Sequence, residues 1–132
     1  MKEVIDTRFL AEYFYATQTE IKSKTAKRLD ELKRKHEGIL PTIVIAEIVQ
    51  ITCELGGKDM ARSRYSVLIQ SGLEIEDLSP SIAQETGLLK SKYRHVPIGD
   101  CIIAATAIEN HAKILSNDPH FEEIEETKLT WV

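Results

Sequence analysis

The chain has 132 residues, 42% hydrophobic and 29% charged, with a formal net charge of −4. That length supports one domain with a real core, and the acidic balance excludes a generic basic coat for nucleic acid. No run approaches the roughly 18 apolar residues of a membrane span and the N-terminus lacks a signal-peptide pattern, so a cytoplasmic protein without membrane attachment is expected.

Lys2 to Asp6 is apolar at its centre and closes on a carboxylate, which predicts a buried strand with Asp6 at its end. Phe9, Leu10, Tyr13 and Phe14 then mark one face of a helix that Asp6 would cap. Glu20 to Lys35 predicts a charged amphipathic helix ended by Gly38. Lys22, Lys24, Lys27 and Arg28 on it are a solvated face or, failing that, a nucleic-acid contact. Ile39-Leu40 reads as a very short strand. Thr42 is the expected N-cap of a helix over Ile43 to Ile51, apolar nearly all round and interrupted by a single acid, Glu47. Burying a lone carboxylate is costly unless it is paired or metal-bound. Glu47 must therefore face solvent, pair with a cation such as Arg62 or Arg64, or serve a site.

Gly56-Gly57 breaks the chain. Lys58 to Gln70 predicts a helix with Met60, Ala61, Tyr65, Leu68 and Ile69 inward. Leu73 to Leu78 alternates apolar and acidic residues, as an edge strand does. Ser79-Pro80 signals a helix start, with Ile82, Ala83, Thr86, Leu89 and Tyr93 on its buried face. From Ile98 to Ala112 almost no polar face exists, which predicts a helix buried on all sides. Asp100 sits in its first turn, where it could cap the helix and where the helix dipole would hold it ionised. Lys113 to Ser116 predicts a strand, followed by Asp118, a short turn from Phe121 and a last strand over Leu129 to Val132. Cys53 and Cys101 lie within apolar patterns. Neither they nor His36, His95, His111 and His120 show ligand spacing, so zinc is not expected.

Short strands separated by helices predict a three-layer α/β domain, its short and mainly parallel sheet flanked by helices on both faces. No repeat or linker divides it, so residues 1–132 read as a single domain. Ligands of such sheets bind at the carboxyl ends of the strands. Asp6 and Asp118 follow strands, while Glu47 and Asp100 occupy early turns of helices leaving the same edge. Four unpaired carboxylates on one rim would repel and raise each other's pKa. Hard divalent cations resolve that conflict, and a carboxylate-held pair of them can hydrolyse a phosphodiester.

Val4-Ile5-Asp6-Thr7, the isolated Glu47, Gly99-Asp100-Cys101-Ile102-Ile103-Ala104-Ala105-Thr106-Ala107 and Leu115-Ser116-Asn117-Asp118-Pro119-His120-Phe121 resemble the four acidic motifs of PIN-domain nucleases, most closely VapC-type toxins. The resemblance implies a PIN-like fold and an endoribonuclease in which Asp6, Glu47, Asp100 and Asp118 are catalytic and bind Mg²⁺ or Mn²⁺. It also implies supporting roles for the small polar residues Thr7, Ser116 and Asn117, an RNA substrate, a cognate antitoxin and a homodimer. Arg8, Pro119 and Ser116 depart from the commoner residues of the motifs, and none of these changes removes an acid. A housekeeping RNA-processing nuclease and a non-catalytic PIN-fold binding module are the alternatives.

Overall fold

The computed structural model describes residues 1–132. In chain order it contains β1 (Glu3–Ile5), α1 (Thr7–Tyr15), α2 (Thr19–Lys35), β2 (Gly38–Pro41), α3 (Thr42–Gly56), α4 (Lys58–Ile69), β3 (Glu74–Glu76), α5 (Pro80–Lys92), α6 (Ile98–Glu109), β4 (Lys113–Leu115), a 3-10 turn (Pro119–Glu123) and β5 (Leu129–Thr130). The five strands form one all-parallel sheet in the order β3-β2-β1-β4-β5, with Val4 level with Ile39 on one side and Ile114 on the other. Val4, Ile5, Ile39, Leu40, Ile114 and Leu115 are completely buried. Continuous apolar strands of this kind require cover on both faces, which makes the domain a three-layer α/β fold.

Strand order places the site. From β1 the chain moves outward to β2 and β3, and the α5–α6 connection then brings β4 back to the other side of β1. Crossovers are right-handed, so connections running in opposite directions lie on opposite faces and leave a crevice where the order reverses. That crevice lies at the carboxyl ends of β1 and β4.

Beside it, α6 is buried at every position from Cys101 to Ala107. The helix is shorter than its apolar run, however. Ile98 is exposed, and Ala112 lies beyond the end because His111 turns left-handed (φ 50°) and the Ala112 N–H bonds the Ala107 carbonyl at 2.9 Å. This is a Schellman stop made without glycine. The same device ends α2 at His36 (φ 55°), where the Glu37 N–H reaches the Leu32 carbonyl at 2.9 Å. Gly38 is therefore not the helix terminator expected from sequence. It starts β2, where a Cβ would come within 2.6 Å of Leu73 Cδ2.

Two further expectations are corrected. Thr42 is the first residue of α3 rather than its cap, and Pro41 occupies the cap position with no side-chain bond. On α4 only Ala61 and Leu68 are buried, while Met60, Tyr65, Val67 and Ile69 are exposed, as is Leu55 near the end of α3. The helix rests chiefly on α3, so one narrow stripe suffices and its other apolar residues remain uncovered. Ser79 caps α5 as expected, accepting from the Ile82 N–H at 3.2 Å with Pro80 in the first turn, but Ala83 is exposed. No helix is long and apolar enough to cross a membrane.

Candidate active site

Asp6 leaves the end of β1 with its carboxylate buried. Its Oδ2 accepts from the Arg8 N–H at 3.3 Å, which caps α1, and from the Ser116 hydroxyl at 2.6 Å. Ser116 Oγ in turn accepts from the Asp118 N–H at 3.0 Å. One serine thereby links the chain leaving β1 to the chain leaving β4. Burial, reinforced by the charge of Asp118, pushes the Asp6 carboxyl above the usual carboxylate range.

Ser116→Ala should therefore leave the core intact while loosening both acids. The lost hydroxyl leaves the buried Asp6 Oδ2 with the Arg8 N–H alone and the Asp118 N–H without its partner, a destabilisation of about 1–3 kcal/mol. A thermal melt of the purified variant measures it; an unchanged midpoint would mean that the serine is not the tie between the two strands.

Asp118 also has a local role, because its Oδ1 accepts from the His120 N–H at 3.0 Å and caps the 3-10 turn. Asp100 has none. Pro97 holds the cap position of α6, and no side chain caps that helix. The capping account of Asp100 is thus incorrect, and so is the expectation that the dipole keeps it ionised. Its carboxyl is pushed up to about 7, first by burial and then by the charges of Asp118 and Asp6, with Glu47 adding to them and His120 opposing. From an ordinary 3.8 this is on the order of 2–3 kcal/mol against the charged form once solvent screening of a half-buried group is allowed for. A helix terminus offers only about 0.3–1 kcal/mol, so desolvation and like charge win.

Glu47 stands one step outside this group. Its Oε1 accepts from the Thr7 hydroxyl at 2.6 Å, and Gly99 leaves room for Oε2, which would lie 3.2 Å from a Cβ there. Neither arginine considered as its partner reaches it: Arg62 pairs with Asp59, and Arg64 lies 4.1 Å over the Phe14 ring and bonds the Tyr15 hydroxyl. Asn117 is exposed and takes part in none of the hydrogen bonds that order the acids. Of the basic residues on α2, Lys24 pairs with Glu20, and Arg28 bonds Glu3 and the Trp131 carbonyl. Arg28 is thus a structural tie rather than part of a free basic surface.

The residue that the spacing argument set aside is His120. Its Nδ1 lies 2.9 Å from Asp118 Oδ1 and 3.3 Å from Asp100 Oδ2, and ligand atoms of all three residues fall within 4.8 Å of one another. The signal available in sequence was an Asp-x-His pair across a proline turn. A search for histidines and cysteines spaced against each other passes over it. The donor set fits a divalent cation: carboxylate oxygens that repel without one, and one of them, Asp100, raised to about 7 by burial first and by that repulsion second.

A model of the PIN domain matches residues 4–127, so the chain belongs to the PIN domain family. No curated protein sequence matches it. Among solved structures, its fold is similar to VapBC2 of Rickettsia felis bound to a promoter DNA fragment, with a TM-score of 0.81 at 20% identity over 99% of this chain and 98% of that one. FitAcB of Neisseria gonorrhoeae superposes with a TM-score of 0.75 at 19% identity over 96% and 95% of the two chains. VapC20 of Mycobacterium tuberculosis, described as a sarcin-ricin loop cleaving toxin, does so with 0.73 at 13% identity over 94% and 95%.

Proposed function

We propose that this chain is a Mg²⁺- or Mn²⁺-dependent endoribonuclease, the toxin of a type II toxin–antitoxin pair. The observation that supports it most is the convergence of Asp6, Asp100 and Asp118 at the strand-order reversal, with Asp100 raised to about 7 by burial and its neighbours' charge. Strongly perturbed carboxyls grouped in a crevice are the mark of a working site. The fold's likeness to a toxin that cleaves the sarcin-ricin loop supports RNA as the substrate.

In this reading Asp6, Asp100 and Asp118 hold the cation, with Glu47 beside them. A bound divalent cation supplies Lewis-acid stabilisation of charge on the phosphodiester and acidifies water. The chain does the positioning. Ser116 fixes Asp6 and the Asp118 loop, and Thr7 fixes one oxygen of Glu47, leaving Oε2 available to accept a proton. Arg8, exposed, in no ion pair and two residues after Asp6, offers a cation to the substrate's phosphates. We assign a cognate antitoxin and a homodimer as partners. The solved VapBC and FitAcB complexes support the first, and the uncovered Leu55, Met60, Tyr65 and Val67 give apolar surface for a protein contact.

The test is cleavage of single-stranded and hairpin RNA by the pure protein with Mn²⁺, Mg²⁺ or EDTA. Cleavage with the metals and none with EDTA is expected; cleavage that persists in EDTA would overturn the reading.

A further inference from the structure

We propose that His120 is itself a metal ligand, its Nδ1 completing the Asp100–Asp118 pair and biasing the site toward Mn²⁺ over Mg²⁺. This rests on the nuclease reading and adds to it a residue and a metal preference.

The geometry carries the assignment. Donors in neighbouring octahedral positions about 2.1 Å from an ion stand roughly 3.0 Å apart. His120 Nδ1 stands 2.9 Å from Asp118 Oδ1 and 3.3 Å from Asp100 Oδ2. Both match donors sharing one ion, and the Asp100 and Asp118 oxygens themselves lie within 4.8 Å of each other. As a hydrogen-bond donor Nδ1 would be partly redundant, because the His120 backbone N–H already bonds Asp118 Oδ1 at 3.0 Å. The turn starting at Pro119 brings the ring back over the acids, and no protein group engages Nε2. The ring is thus placed by its backbone with Nδ1 aimed between two carboxylates that come from α6 and from the loop after β4. A third donor that is nitrogen has a chemical consequence. Mg²⁺ is an oxygen-binding ion that parts with its waters reluctantly, whereas imidazole suits first-row transition metals.

The experiment is a titration of the full chain with Mn²⁺ and separately with Mg²⁺, followed by calorimetry, with the electron spin resonance of the Mn²⁺ sample as a second readout. Wild type should bind Mn²⁺ more tightly than Mg²⁺ and show nitrogen hyperfine coupling on Mn²⁺. His120→Ala should lose that coupling and weaken Mn²⁺ binding roughly tenfold or more, since even groups that merely support a ligand are worth that much. Mg²⁺ binding should change far less. His120→Asn, which sets an amide oxygen near the place of Nδ1, should keep Mg²⁺ binding near that of wild type without restoring the Mn²⁺ preference. Because His120 is exposed, melting of the variants in EDTA verifies that they fold. Tighter or unchanged binding of both metals in His120→Ala would make the histidine a counter-ion that metal displaces, and would overturn the assignment while leaving the nuclease reading in place. Absence of binding by either metal to wild type would overturn both.

Discussion

Asp100→Asn is expected to lower RNA cleavage at saturating Mn²⁺ by about 10²–10³-fold or more. A metal's charge stabilisation is worth several kcal/mol, and each loss of about 1.4 kcal/mol is a factor of ten. Asp100 makes no capping bond, so on the proposed reading its substitution removes a metal ligand and leaves the cap of α6 as it is. Asp6→Asn and Asp118→Asn should fall in the same range, and both asparagines keep a competent cap for α1 and the 3-10 turn. Glu47→Gln should lose less, because of the three other acids Glu47 acts most weakly on Asp100 and its Thr7 bond survives in the amide. Single-turnover rates on one RNA hairpin rank the four variants. Wild-type turnover in Asp100→Asn would remove the site from this crevice.

The second large effect is on stability. With metal withheld, Asp100 has a folded pKa near 7 against an ordinary 3.8, so the folded state holds its proton longer than the unfolded state does. Where the folded state binds more protons, stability falls as pH rises. The cost is absent below about pH 4, grows between the two values and is complete above about pH 7. Asp100→Asn escapes it. In EDTA at pH 8 the variant should melt about 5–10 °C above wild type, and the gain should shrink towards zero as the pH approaches 4. A gain that does not vary with pH would trace to packing instead of charge.

Much of this site can be read in the residues, for physical reasons that also explain what cannot. The apolar run of α6 is visible because burial on every side leaves no polar stripe to confuse with a surface. Asp6 is visible because a strand closing on a carboxylate puts it at the sheet's carboxyl edge. Asp100's protonation is not visible locally. The burial that chiefly raises its pKa, and the charges of Asp118 and Asp6 that add to it, arise only through the fold, while the dipole that a local reading invokes is the weaker effect. His120 is hidden for a similar reason, since its ring meets Asp100 only after β4 docks beside β1.

Elsewhere, α2 and α6 end on histidines in the left-handed region, a stop normally signalled by glycine. On α4, periodicity reveals an apolar stripe but not whether a neighbour covers it. Tyr65 and Ile69 have none.

The claim that these acids share one cation is tested most directly by repeating the pH 8 melt with Mn²⁺ in place of EDTA. An ion that binds only the folded state stabilises it by about 2.7 kcal/mol at a hundredfold excess over its Kd. Wild type should therefore rise several degrees in Mn²⁺. Asp100→Asn, already relieved of repulsion and short of a ligand, should rise much less, so that the order of the two proteins narrows or reverses. Equal midpoints for both proteins in both conditions would contradict a shared cation and remove the main physical support for the nuclease.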